Sequence, residues 1–295
     1  MAVGKTTVSV LAGKNTIVTG ASRGLGSQIA RTMWKSGANL LLVARSGNAL
    51  ESLAKELHES SMPSRQIHTV IADLKSPRAV DTIMGEALKV WKKLDVLVNN
   101  TGIQGPIACA WENDWEEWQE AIRVNLLGPV ALCRASVPWM RDGGGGKIIN
   151  LSGGGATGPR PYFSAYAVAK IGIVRFTEIL AHEVGEMNIQ VNSIAPGASN
   201  TDMLQTVLDA GPEKAGQREY AQALKQAASG GADPSRPAEL CVFLASSASD
   251  SITGKLISVA WDPWEELPLK MPDLAETDIY MLRPIVPKDR GKEWG

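Results

Sequence analysis

The sequence predicts a doubly wound α/β fold, one parallel sheet of about seven strands with helices on both faces. Three observations carry this. Short apolar runs alternate with helix-length stretches along most of the chain. The runs are apolar on both sides of the two-residue strand period, as buried parallel strands are. The first run also passes through a glycine-rich turn straight into a helical stretch.

Residues 16–19 form the first expected strand. Thr19-Gly20-Ala21-Ser22-Arg23-Gly24-Leu25-Gly26 follows and opens a helix over 25–36, stopped at Gly37. Such a turn gathers free backbone N–H groups at the positive end of a helix, which is how a fold holds a pyrophosphate. A second strand over 39–43 continues into Ala44-Arg45 and a helix over 48–60. The third strand, 67–72, leads to Asp73-Leu74, then to Ser76-Pro77 as cap and first-turn proline of a helix over 77–91. A fourth strand over 96–98 precedes one long helix over 115–140, and residues 142–146 form a mobile, glycine-rich surface loop. Strands over 147–151 and 190–194 flank a helix over 165–185 that ends at Gly185. A helix over 237–246 and a strand over 256–259 complete the sheet.

Residues 199–236 break the rhythm with a polar, alanine-rich insertion that has helical spacing over 201–210 and 218–228. Insertions at the carboxyl end of such sheets build lids and substrate pockets. The expected organisation is a single domain over 1–260 and a tail over 261–295. Five prolines interrupt that tail, which reads as a wrap over the body or a neighbouring subunit.

The 295 residues provide ample core, and 30 basic against 31 acidic side chains leave a net charge of −1. That balance gives no basic surface for nucleic acid or an anionic membrane. Cys109, Cys133 and Cys241 have no motif spacing and read as free thiols in a reducing cytoplasm. His58, His68 and His182 have no companions at ligand spacing, so no metal is expected. No run is long enough for a secretory signal or a bilayer span.

Tyr166-Ala167-Val168-Ala169-Lys170 carries the chemistry. Four residues apart, the phenol and the ammonium share one helix face. A phenol of pKa about 10 is a poor acid/base at neutral pH, and a neighbouring cation lowers it by favouring the phenolate. In this order along the chain, the glycine turn and the Tyr–Lys pair point to hydride transfer with a nicotinamide cofactor.

At this point the residues resemble the short-chain dehydrogenase/reductase family, in its compact single-domain branch with a Rossmann-type sheet. The resemblance runs over about residues 15–259 and rests on several motifs in the right order. It implies that Gly20, Ser22, Arg23, Gly24, Leu25 and Gly26 bind the cofactor pyrophosphate region, and Asp73 and Leu74 the adenine. Asp73 alone also reads as a cap at a strand end. Asn99-Asn100-Thr101-Gly102 is similar to the family's Asn-Asn-Ala-Gly turn, which adds Asn99 and Gly102. Pro196 and Gly197, with Thr201, match the loop that holds the nicotinamide carboxamide. Tyr166 would be the general acid/base, and Lys170 its electrostatic partner and a ribose ligand. Asn125 would hold a water that links Lys170 to solvent. Lowering the phenol from about 10 to about 7 needs roughly 4 kcal/mol, which one ammonium and the cationic nicotinamide could supply in a dry site. The family also commonly assembles through the two long helices, here 115–140 and 165–185, which implies a homotetramer.

Cofactor choice is read from the end of the second strand. NAD-specific folds place a carboxylate there, and this chain has Ala44-Arg45. Arg45 and Arg23 are positioned for a 2′-phosphate, so NADP(H) is expected, the alternative being Arg45 as a solvated surface residue. Gln104, Tyr162, Phe163, Ala198 and Met203 are candidate pocket residues, and a ketone or secondary alcohol is the expected substrate. Trp111, Trp115 and Trp118 read as packing residues. The runner-up activities are a 3-oxoacyl thioester reductase, which would want a basic patch for an acidic carrier, and a non-catalytic cofactor-binding sensor.

The family's serine thirteen residues before the tyrosine is replaced by Gly153, with Ser152 beside it and two glycines after it. Strand alternation aims neighbouring side chains at opposite faces, while three glycines permit a bulge that brings Ser152 round. Ser152 is the expected donor to the substrate oxygen, with the glycine backbone as the alternative.

Overall fold

The computed structural model describes residues 9–60, 65–198 and 202–294. Seven strands form one wholly parallel sheet in the order β3-β2-β1-β4-β5-β6-β7. They are β1 (Asn15–Thr19), β2 (Asn39–Ala44), β3 (Ile67–Ile71), β4 (Val96–Asn99), β5 (Gly146–Leu151), β6 (Ile189–Ala195) and β7 (Leu256–Ser258). Alternate side chains enter two separate cores. Val18, Leu40, Leu42, Val98 and Ile149 pack under α1 (Gly24–Lys35), α2 (Gly47–Glu59) and α9 (Ser235–Ala245). Ile17, Leu41, Leu97 and Ile148 pack under α3 (Ala79–Val90), α5 (Gly128–Asp142) and α6 (Ser164–Glu183). The central strands are covered on both faces, which explains runs such as Leu40-Leu41-Leu42-Val43, while the edge strand β3 leaves Thr69 and Ile71 exposed.

Strand order reverses beside β1, which pairs with both β2 and β4. Connections leave this point in opposite directions, so a crevice opens at the carboxyl ends of β1 and β4, where such sheets bind ligands.

Three expectations change in detail. The long helix over 115–140 is two helices, α4 (Trp115–Ile122) and α5, joined by a π-turn at Arg123–Leu127. Ser76 and Pro77 precede α3 as a turn: Ala79 N donates to the Ser76 carbonyl, so the helix begins later than its proline signals. The glycine-rich loop is tied down, since Gly146 N donates to the Asn188 carbonyl and Asn188 Nδ2 to the Gly144 carbonyl, each at 3.0 Å.

The insertion forms α7 (Asp202–Ala215) and α8 (Gln217–Ser229), packed on Phe163 through Val207, Ala215 and Ala223. In the tail, Trp264, Leu267 and α10 (Met271–Glu276) with Leu274 join the core beneath α1 and α9. Glu178 Oε1 accepts from Leu282 N at 2.6 Å and fixes the tail to α6. Among the described residues, no helix is long and apolar enough to cross a membrane, and no group of three metal-ligating side chains occurs.

Candidate active site

The glycine turn lies at the β1 side of the crevice. Gly20 has φ +67°, a left-handed conformation that glycine adopts without a Cβ penalty. A Cβ on Gly26 would fall on the Gly20 carbonyl and 2.5 Å from Asn100 Nδ2, so this helix start accepts only glycine. The Arg23 side chain makes no capping hydrogen bond to α1, and among the described residues no acceptor meets the first N–H groups of that helix. A glycine-lined cradle and uncapped amide donors at the switch point suit the pyrophosphate of a dinucleotide. Ser22 and Leu25 line the same turn half-buried, and Arg23 and Gly24 are exposed.

Across the crevice, Asn100 holds the turn in place. Its Nδ2 donates to the Thr19 carbonyl at 2.9 Å, and its N donates to Thr19 Oγ1 at 3.0 Å. Asn99 turns the other way: its Nδ2 donates to Asn150 Oδ1 at 2.8 Å inside the sheet. Of the two asparagines, Asn100 therefore does the bracing at the cofactor turn, which the motif did not distinguish. Asp73 Oδ1 accepts from Lys75 N at 3.0 Å, closing its own turn, and Leu74 is core beside Gly128. Arg45 is exposed at the end of β2 with no hydrogen bond or ion pair among the described residues. Arg23 is paired with Asp202 at the start of α7, so it already carries a carboxylate. Pro196 and Gly197 follow β6, with Gly197 at φ +82°. Thr201 lies outside the described residues.

The Tyr–Lys pair comes from α6 and faces the end of β5. Tyr166 and Lys170 lie one turn apart and are both buried, 8% and 3% exposed. Lys170 Nζ donates to the Leu151 carbonyl at 2.8 Å and lies 5.5 Å from the Tyr166 ring centroid. Burial pushes the Lys170 ammonium down to about 8. The Tyr166 phenol is pushed above its ordinary range by the same burial, against the opposing Arg160 guanidinium. The lowering expected of Lys170 is therefore not met by the chain's own residues, because desolvation of the phenolate outweighs the nearby cations.

Asn125 sits in the π-turn between α4 and α5. Its Oδ1 accepts from Ile103 N and its Nδ2 donates to the Ile103 carbonyl, each at 2.8 Å. A Cβ on Gly102 would stand 3.1 Å from Asn125 Oδ1 and 3.7 Å from Lys170 Nζ. The π-turn, Gly102 and Lys170 thus converge at one place, as π-bulges at functional positions do.

At the departure from the family pattern, the Cβ direction of Gly153 points into Tyr166. A Cβ there would lie 3.0 Å from Cζ and 3.1 Å from Cε1, and closer still to the hydroxyl. The glycine gives the phenol oxygen its room. Ser152 is buried and its Oγ has no hydrogen-bond partner among the described residues, which is costly unless a ligand supplies one. Gln104 Nε2 is likewise buried and unpartnered. Met203 Cε lies 3.3 Å from the Gly102 Cβ position, and Phe163 is the centre of the core beneath α7 and α8. Trp115 and Trp118 stack at 5.0 Å, and Trp118 Nε1 donates to Ser164 Oγ at 3.1 Å, but Trp111 and Trp115 are exposed, so of the three expected packing residues only Trp118 is partly buried.

Arg160 and Glu219, which sequence reasoning passed over, belong here. Arg160 pairs with Glu219 of α8 at 2.9 Å beside Tyr166. No periodicity signals this contact, which crosses 59 positions. Tyr162, named as a pocket residue, has φ +71°, which is strained for a bulky side chain, and its ring packs on Gly216 between α7 and α8.

Comparison with known proteins agrees with this geometry. A family model described as short chain dehydrogenase matches residues 14–211. A 3-oxoacyl-[acyl-carrier-protein] reductase of Chlamydia trachomatis is 34% identical over 250 residues, 85% of this chain and 97% of the relative. L-sorbose reductase of Gluconobacter frateurii, solved with NADPH and L-sorbose, is 31% identical with a TM-score of 0.74, over 84% of this chain and 95% of that one. Carveol dehydrogenase of Mycobacterium avium, solved with NAD, is 25% identical with a TM-score of 0.75, over 85% and 97%. The switch-point crevice, the glycine turn and the buried Tyr166–Lys170 pair thus lie in a chain that belongs to the short-chain dehydrogenase/reductase family, oxidoreductases that work with a nicotinamide cofactor.

Proposed function

We propose that the protein is an NADP(H)-dependent carbonyl reductase or secondary-alcohol dehydrogenase with Tyr166 as its general acid/base. The observation that carries this reading is the Tyr166 hydroxyl lodged against Gly153 at the end of β5, beside Lys170 and the glycine turn. The cofactor, when bound, exchanges a hydride with the carbonyl carbon and brings the positive nicotinamide ring in its oxidised form. Held by the turn at residues 20–26, by Lys170 and by the loop at Pro196-Gly197, it would face the phenol. In reduction, the O–H bond of Tyr166 breaks as its proton passes to the carbonyl oxygen, and in oxidation the phenolate takes the alcohol proton. Ser152 Oγ, buried with no partner among the described residues, is the proposed donor to the same oxygen, with a backbone N–H of the glycine run as the alternative, because it is the Gly153 Cβ direction that points at the phenol. Asn125, clamped at both ends of its amide by Ile103, keeps the Lys170 pocket in register for proton return to solvent.

Arg45 supports NADP(H): it is exposed and unpaired among the described residues at the end of β2, where an NAD enzyme carries an acid. Arg23 contributes less, because Asp202 already neutralises it. Met203, whose Cε reaches to 3.3 Å from the Gly102 Cβ position, adds an apolar wall that suits a ketone of moderate size, while Phe163 lies in the core behind it. The second reading, a 3-oxoacyl thioester reductase, is favoured by the name of the Chlamydia relative. Against it stands the exposed acidic run Asp114, Glu116 and Glu117 on α4, which would repel an acidic carrier. A homotetramer in the cytoplasm completes the proposal.

The test follows NADPH and NADH oxidation with aryl ketones, diketones and acyl thioesters, and light scattering reports assembly. Tyr166→Phe should bind NADPH normally and turn over less than about 1% as fast, a proton-transfer loss of 10²-fold or more. NADPH binding without turnover on any member of the panel would favour a sensor and reject the enzymatic reading.

A further inference from the structure

Beside the phenol lies a charged couple that the reaction scheme above does not use. Arg160 stacks on Phe163, its guanidinium carbon 3.9 Å from that ring centroid and 5.8 Å from the Tyr166 centroid. Glu219 of α8 holds it through Nε at 3.0 Å and Nη2 at 2.9 Å. Both side chains are largely shielded, 18% and 25% exposed. Nη1 has no hydrogen-bond partner among the described residues and stands 3.7 Å from the Cβ position of Gly154. A Cβ on Gly155 would stand 3.3 Å from Arg160 Cβ, so the glycine run also makes room for this arginine.

We infer that Arg160 is a positioning residue that sets the acidity of Tyr166, and that α8 controls it through Glu219. The charged groups facing the phenol are Lys170 from its own helix and Arg160 from the preceding loop, with Glu219 behind Arg160. Gly153, at the end of β5, brings no charge. Lys170 is desolvated and spends a donor on the Leu151 carbonyl, whereas a guanidinium stays charged throughout the working range. A fixed cation near a buried phenol favours the phenolate, and the carboxylate behind it takes part of that effect back. Because Glu219 rides on α8, and Tyr162 and Phe163 seat α7 and α8 on the same loop, the seating of α8 and the charge beside Tyr166 are one mechanical unit. This inference rests on the proposed role of Tyr166.

The test is a titration of ¹³Cζ-labelled tyrosines by NMR, with and without saturating NADP⁺. The protein has four tyrosines, and subtracting the Tyr166→Phe spectrum isolates the one that matters. Arg160→Gln should raise the Tyr166 midpoint by about one pH unit, and Arg160→Lys should leave it within about half a unit. Glu219→Gln keeps an acceptor for Arg160 but removes the opposing charge, so the midpoint should fall. Circular dichroism confirms that each variant is folded. An Arg160→Gln midpoint equal to the parent's, or shifts of the same sign in Arg160→Gln and Glu219→Gln, would overturn the inference. The readout needs no turnover, so such a failure is distinct from failure of the oxidoreductase reading, which Tyr166→Phe activity decides.

Discussion

Replacing Gly153 with alanine adds one carbon at the most crowded point of the site. The new Cβ would stand 3.0 Å from Tyr166 Cζ, where ordinary contacts begin at 3.4 Å, and nearer still to the hydroxyl. The ring must retreat by at least 0.4 Å to restore contact at Cζ, and the oxygen by more. Tyr166 is 8% exposed on a helix packed against the sheet, so the retreat is resisted by neighbours. Overpacking of this kind costs about 1–3 kcal/mol of stability. Displacing the proton-transfer atom by about 1 Å costs on the order of 10²-fold in turnover. The glycine turn and Arg45 lie outside the contact, so NADPH affinity should hold. The assay pairs single-turnover ketone reduction with NADPH fluorescence titration and urea unfolding. Turnover within twofold of the parent, in a protein that binds NADPH normally, would show that the phenol oxygen does not work from this position.

Arg45→Ala should weaken NADPH binding about 10- to 150-fold, from loss of one charge-assisted contact of about 1.5–3 kcal/mol, and leave NADH almost unchanged; fluorescence titration of both cofactors checks it, and equal losses would refute the 2′-phosphate role. Ser152→Ala should lower turnover by about 10²-fold with NADPH affinity intact, and near-normal steady-state rates would transfer the donor role to the glycine backbone. Lys170 has a pKa depressed to about 8 against an ordinary 10.5, so between those values the unfolded chain binds the extra proton and stability rises with pH. The gap is worth up to about 3 kcal/mol, at about 1.36 kcal/mol per pH unit. The stability difference between the parent and Lys170→Met in urea should therefore move by up to that amount in the parent's favour from pH 8 to pH 10.5, and a flat difference would mean that Lys170 is hydrated.

The sheet was legible in the sequence because burial on both faces writes itself as unbroken apolar runs. Leu40-Leu41-Leu42-Val43 sends alternate side chains into opposite cores, and no polar residue interrupts it. The glycine turn and the Tyr166–Lys170 pair were legible for a related reason: both are local, and their geometry is set by helix and turn periodicity within a few residues. What crosses the chain was not. Asn99 and Asn100 are adjacent letters, but the strand sends one into the sheet toward Asn150 and leaves the other bracing Thr19. The π-turn at Arg123–Leu127 interrupts a helical pattern that continues on both sides of it, so periodicity reads one helix. Acidity depends on burial, and the desolvation of Tyr166 and Lys170 appears only once α6 is packed on the sheet. Arg160 and Glu219 meet because α8 folds back over the loop before α6, a contact between distant segments that composition and spacing do not encode. Local geometry was thus determined by the sequence alone, and the electrostatic environment around it was decided by tertiary packing.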